Sequence, residues 1–209
     1  MNKNNNLNPI YKSLFYIILV AVITCGLIPP SASADNGSVP PELQAKLILT
    51  ALTYDKNLEK TDTTELNIGL LYFPESVQSR EEVLNFSKTL EGFKDKKISG
   101  RSFHTVILTY EDNGGLKKKI VDEHIDVLYI AQGEKKLVLN VLEATQAEKI
   151  LSCSSRAEYV TTCGVTMAVG LKDNKPKIYL NLSSAKSEGA DFSAKFLRVA
   201  EIVDSGEKD

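Results

Sequence analysis

Asn67-Ile68-Gly69-Leu70-Leu71-Tyr72-Phe73 is a continuous, mostly apolar run of strand length, and Pro74 stops it. It does not alternate polar with apolar, so it predicts a strand buried on both faces. Two further runs have the same character, Phe103 to Tyr110 (FHTVILTY) and Ile125 to Ala131 (IDVLYIA), and Ile150 to Cys153 is a shorter fourth. Helical signals lie between them. Ser79-Arg80-Glu81-Glu82 has capping-box spacing, followed by Val83, Leu84, Phe86, Ser87, Leu90 and Phe93. Gly114-Gly115 opens a short basic helix through Lys119, and Leu137, Leu139, Leu142 and Ala144 to Glu148 predict another. Strands that are apolar on both faces and alternate with helices belong in a parallel sheet covered by helices, so the expected fold is α/β.

The pattern changes on either side of this block. Upstream, Pro40-Pro41 suits a helix start, and Leu43, Leu47, Ala51, Tyr54 and Leu58 form one helical stripe broken by Asp62 to Thr64. Downstream, Gly164 to Leu171 and Lys177 to Leu182 flank Asp173-Asn174-Lys175-Pro176, which predicts an antiparallel hairpin near the C-terminus. Phe192, Phe196, Val199, Ala200 and Val203 then read as a closing helix that buries Phe192, Phe196 and Val199 on one face, with Asp191 placed to cap it.

Met1 to Tyr11 is polar and Asn-rich, Leu14 to Ile23 is almost unbroken apolar sequence, and Pro29-Pro30 and Ser31-Ala32-Ser33-Ala34 follow. This is the order of an export signal cut after Ala34. The apolar stretch to Ile28 is shorter than the ~20 residues of a membrane span. Lipid attachment at Cys25 is disfavoured by Thr24 before it. Residues 35–209 are therefore expected to form a single exported domain. Its cysteines, Cys153 and Cys163, are an even pair in an oxidising compartment and read as a disulfide; two separate buried thiols are the alternative.

Hydrophobic residues make up 43% of the 209-residue chain and charged residues 25%, a globular composition, and the formal net charge of −2 leaves no footprint for nucleic acid. There is no Walker-type loop, no Gly-x-Ser-x-Gly elbow and no His-Glu-x-x-His. The histidines are His104 and His124, and Asp122-Glu123-His124 has no second His or Cys beside it for a metal. No catalytic, cofactor-binding or metal site is expected. Open α/β sheets bind ligands outside the carboxyl ends of their strands. That rule nominates Tyr72, Phe73, Glu75, Tyr110, Gln132, Ser154, Ser155 and Arg156 as a crevice for a small polar ligand or a partner; ordinary loop composition is the alternative.

Lys177 to Val203 (KIYLNLSSAKSEGADFSAKFLRVAEIV) resembles the closing signature of the YfiR-like family of periplasmic proteins. The matching positions are Leu180-Asn181, Ala185, Gly189, Ser193, Phe196-Leu197 and Ala200. Their roles are structural: Asn181 can bond the turn at the strand end, and Gly189 permits a left-handed exit from a short helix. The resemblance implies a small, non-enzymatic periplasmic regulator. Its partner would be the periplasmic domain of an inner-membrane diguanylate cyclase or similar sensor, held inactive, with effects on cyclic-di-GMP signalling and biofilm. A periplasmic solute- or ligand-binding protein is the rival. A small-molecule ligand and a homodimer both stay open.

Overall fold

The computed structural model describes residues 39–60 and 63–203. The predicted export signal and cleavage site lie outside these residues. The order is α1 (Pro41–Leu52), α2 (Lys56–Lys60), β1 (Glu65–Tyr72), α3 (Val77–Glu91), β2 (Ser102–Thr109), α4 (Asn113–Asp122), β3 (Val127–Ile130), α5 (Lys135–Glu148), β4 (Leu151–Ser154), α6 (Ala157–Thr162), β5 (Met167–Lys172), β6 (Lys175–Leu180), α7 (Leu182–Ser187), α8 (Ala194–Leu197) and β7 (Glu201–Ile202). The strands form one sheet in the order β2-β1-β3-β4-β5-β6-β7. Only β5 and β6 pair antiparallel; the other neighbours are parallel. The fold is the predicted α/β class, hairpin included. The hairpin turns on Asp173 and Asn174, both at positive φ (51° and 57°), which matches the right-handed twist of the strands they join.

Each face of the sheet carries its own core. Ala45, Ile48, Leu49 and Leu52 of α1, Val83, Phe86 and Leu90 of α3, and Phe192 and Phe196 cover one face. Leu116 and Ile120 of α4, Val138, Val141 and Leu142 of α5, and Tyr159 of α6 cover the other. This double cover is why β1 and β3 read as unbroken apolar runs.

Four expectations need correction. The first helix does not reach Leu58; it ends at Leu52, and Asp55, buried, turns the chain by accepting hydrogen bonds from the amides of Asn57 and Asp191, each at 3.0 Å. Ser76, not Ser79, caps α3 and accepts from the Ser79 amide, while the Ser79 hydroxyl accepts from the amide of Phe73 at 3.0 Å and fixes the end of β1.

The closing helix is the third correction. It is a single turn, Ala194–Leu197, begun at Ser193 and not capped by Asp191, whose carboxylate instead meets Lys56. Phe192 and Phe196 are buried as expected, but Val199 is 61% exposed. The chain leaves the helix because β6 has a free edge: Tyr179 and Leu180 pair with Glu201 and Ile202, and the Val203 amide donates to Leu180 O at 2.8 Å.

The disulfide is the fourth. Both cysteines are free thiols, Cys153 in the core beneath α1 and Cys163 against the core on the opposite face, so the sheet separates them. Burial pushes the Cys153 thiol well above its ordinary range. Helix α6, which has no clear periodicity in sequence, lies between the two cysteines.

The signature residues hold the chain in place. The Asn181 side chain caps α7 by accepting from the Ser184 amide at 2.9 Å, and Gly189 takes φ +81° just beyond its end. The intervening Glu188 is 1% exposed. Its Oε2 accepts from Ser152 N (2.7 Å), Ser152 Oγ (3.0 Å) and Thr166 Oγ1 (2.6 Å), and its Oε1 from Thr145 Oγ1 (2.6 Å), which ties α7 to α5, β4 and the approach to β5.

Candidate functional site

Strand β1 is followed by β2 on one side, while β3 pairs on the other, so the strand order reverses between β1 and β3. A crevice forms at the carboxyl ends of strands where connections diverge in this way. Here the crevice is organised by Glu82 on α3. Its Oε1 accepts from the Tyr129 hydroxyl (2.6 Å) and the Ser155 hydroxyl (2.8 Å), and its Oε2 from the Gln132 amide (3.0 Å). One carboxylate thus ties the ends of β3 and β4 to the helix after β1. Tyr129 is fully buried, stacked on Phe86 at 4.2 Å between ring centroids, and burial together with the Glu82 charge holds its hydroxyl well above its ordinary range.

Arg156 closes the rim. Its guanidinium donates to the Gln132 side-chain oxygen and reaches Glu158 at 3.5 Å, while its Nε is buried without a partner among the described residues. Next to it, the Tyr159 hydroxyl donates to Gly133 O at 2.7 Å and accepts from Gly133 N at 2.9 Å. Glu82, Phe86, Tyr129, Ser155, Arg156 and Gln44 of α1 border a cavity of about 280 Å³. It presents a carboxylate, a guanidinium and hydroxyls beside an aromatic floor, which suits a small polar ligand or a polar anchor from a partner. Among the described residues, no group of three His, Cys, Asp or Glu side chains is placed to hold a metal ion.

The nominated residues divide. Gln132, Ser155 and Arg156 meet around Glu82, and Ser154 lies beneath them, buried, with its hydroxyl donating to Ile130 O at 2.8 Å. The others stand elsewhere. Tyr72 accepts from the Thr109 hydroxyl at 2.8 Å, and Tyr110 donates to Asn113 at 3.2 Å. Phe73 is buried under Gly133 with its ring 5.4 Å from that of Tyr110, and Glu75 is exposed. Glu82 and Tyr129 escaped the sequence because each imitates something ordinary. Glu82 sits where a capping glutamate belongs, and Tyr129 sits inside an apolar strand. An acidic residue directly before the core position Val83 was the one available signal.

Fold and crevice together define an α/β domain with a mainly parallel sheet covered by helices on both faces. The match to the YfiR/HmsC-like family (DUF4154) runs over residues 42–201, and the chain belongs to that family, whose members are periplasmic regulatory proteins. No curated protein matches it. Three solved structures share the fold. A conserved domain protein from Vibrio cholerae O1 biovar El Tor has 15% identity and TM-score 0.54, covering 78% of this chain and 60% of the other. An ABC domain in complex with L-Trp from Streptococcus pneumoniae has 14% identity and TM-score 0.53, with coverage of 78% and 62%. The ligand-free, open structure of CD0873, a substrate binding protein with adhesive properties from Clostridium difficile, has 14% identity and TM-score 0.56, with coverage of 80% and 60%. The chain therefore spans about 60% of the length of these proteins. Among the described residues, no helix is long and apolar enough to cross a membrane.

Proposed function

We propose that this protein is a non-enzymatic periplasmic regulator that docks on the periplasmic domain of a membrane-bound diguanylate cyclase, or a similar sensor, and holds it inactive. The family match over residues 42–201 is the observation that carries this reading. The crevice is compatible with it: Glu82 is engaged by three donors, an arrangement that fixes the shape of the strand ends. The regulator acts by population shift, binding the inactive state of its partner better than the active one. Moving the partner from mostly active to mostly inactive takes a differential affinity of ~10⁴-fold, or ~5.5 kcal/mol. A standard interface of ~1,600 Å² can supply that. Deleting the gene is expected to raise cyclic-di-GMP and surface attachment, and an export-competent copy is expected to reverse both. A copy without residues 1–34 should not rescue.

A small-ligand role is the alternative, favoured by one observation: Glu82 and Arg156 place opposite charges on the same cavity of about 280 Å³. Unchanged cyclic-di-GMP on deletion, with loss of uptake of a solute, would establish it in place of regulation.

A further inference from the structure

Two buried polar groups that border the crevice have nothing to bond. Gln44 of α1 is 8% exposed, yet its side-chain amide makes no hydrogen bond among the described residues. The Nε of Arg156 is buried and unpaired in the same way. Both residues border the cavity of about 280 Å³, and so does Asn85 of α3, an exposed residue whose side-chain amide is also unbonded among the described residues. Burying an amide without a partner is costly, and each such group asks for a cause. Gln44 stands beside the buried Ala45, with Ile48 one turn further on, where an apolar residue would serve packing as well. A ligand that completes these groups supplies the cause.

We propose that the cavity binds one neutral, polyhydroxylated ring, a monosaccharide. The proposal rests on the crevice as a small-ligand site and not on the regulatory reading. A hydroxyl donates and accepts at once, so it is matched by side chains that do both. The Gln44 and Asn85 amides each offer two N–H donors and a carbonyl, and Arg156 Nε adds one donor. Glu82 has about four acceptor sites on its two oxygens. Tyr129, Ser155 and the Gln132 amide occupy three of them and leave one. The rings of Phe86 and Tyr129, both at the cavity, give the C–H face of a sugar an apolar surface.

Size and charge point the same way. At ~30 Å³ for each water, the cavity holds the volume of about nine waters, which suits one sugar ring and not two. The opposite charges on the cavity are already met: Glu82 by its three donors, and Arg156 by Glu158 at 3.5 Å. An ammonium brings three N–H groups to the single open site on Glu82, and a carboxylate finds no unmet cation. What stays unmet is neutral and directional. The ring would bridge three segments, with Gln44 from α1, Glu82 and Asn85 from α3, and Arg156 after β4.

The test is saturation-transfer NMR and calorimetry of the purified chain with D-glucose, D-galactose and D-mannose, and with L-glutamine as a zwitterion of similar size. At least one sugar is expected to bind with a Kd of about 1 mM or tighter. Gln44→Leu should weaken that binding by about tenfold or more while the melting point holds or rises, because leucine needs no buried partner. Arg156→Lys keeps the charge and removes Nε. It should weaken sugar binding about fivefold or more, whereas a ligand held by charge would keep its affinity. No binding of any of the three sugars at about 20 mM overturns the proposal. If L-glutamine alone binds, and Gln44→Leu weakens it, the crevice stands as a ligand site but the sugar is wrong. Sugar binding indifferent to both variants places the ligand elsewhere and also overturns the proposal. The response of cyclic-di-GMP to gene deletion is independent of all these outcomes.

Discussion

Removing the Glu188 carboxyl tests the tie that holds the closing signature to the sheet. Glu188→Ala deletes the acceptor of four hydrogen bonds. The three hydroxyl bonds come from Thr145, Ser152 and Thr166, whose groups can turn toward other acceptors, but the Ser152 amide cannot turn and is left buried and unpaired. That orphan costs ~1–3 kcal/mol, and the space vacated by the side chain adds to it, so a loss of about 3 kcal/mol is expected. Glu188→Gln should behave differently. Its carbonyl oxygen can replace Oε2 and keep three donors. Its amide group then faces Thr145 Oγ1, which can accept because its own proton can go to Leu142 O, 3.1 Å away. The expected cost is below ~1 kcal/mol. Burial raises the Glu188 pKa against the lowering effect of its hydrogen bonds. The folded state therefore holds a proton that the unfolded chain has released, over the window from the ordinary glutamate value up to the raised one. Stability from this group is full below that window and lost as pH rises through it. Urea unfolding of wild type and both variants across that range measures all three effects. Glu188→Ala within ~1 kcal/mol of wild type would refute the reasoning, as would equal losses for Ala and Gln, or a wild-type advantage over Gln that grows with pH.

Three further outcomes are expected. Phe196, 2% exposed, stacks on Tyr54 at 5.5 Å between ring centroids, so Phe196→Ala should lower unfolding free energy by ~3–5 kcal/mol, whereas Val199→Ala should change it by less than ~0.5 kcal/mol. Unfolded, unreduced protein should take up alkylating reagent on both Cys153 and Cys163, and reductant should leave the melting point unchanged. Gly133→Ala should destabilise by ~1–3 kcal/mol in chemical denaturation, because its Cβ would fall 2.3 Å from the Phe73 ring.

The sheet was legible because its burial is written in consecutive residues. Ile68 to Phe73 and Val127 to Ala131 are apolar on both faces, and no other architecture covers such strands as readily. Asp173-Asn174 announced its hairpin through residues that tolerate positive φ. The closing segment misled because Phe192 and Phe196 do share a helical face, and Val199, Ala200 and Val203 happen to continue the period. What ends that helix is the unpaired edge of β6, well back in the chain, and no local pattern carries it. The cysteines misled for a related reason: their spacing says nothing of which side of the sheet each occupies. In the crevice, Gln132, Ser155 and Arg156 followed from the rule about strand ends. Glu82 and Glu188 did not, since a buried carboxylate is recognisable only by donors gathered from distant segments.

Reconstitution tests the regulatory role most directly. Membranes carrying the diguanylate cyclase of the same organism are assayed for cyclic-di-GMP synthesis with the purified regulator presented on the periplasmic side. Synthesis is expected to fall in a saturable way as the regulator is added, and the regulator is expected to co-sediment with those membranes but not with membranes lacking the cyclase. Synthesis that is unchanged at saturating regulator, with no cyclase-dependent binding, would contradict that role.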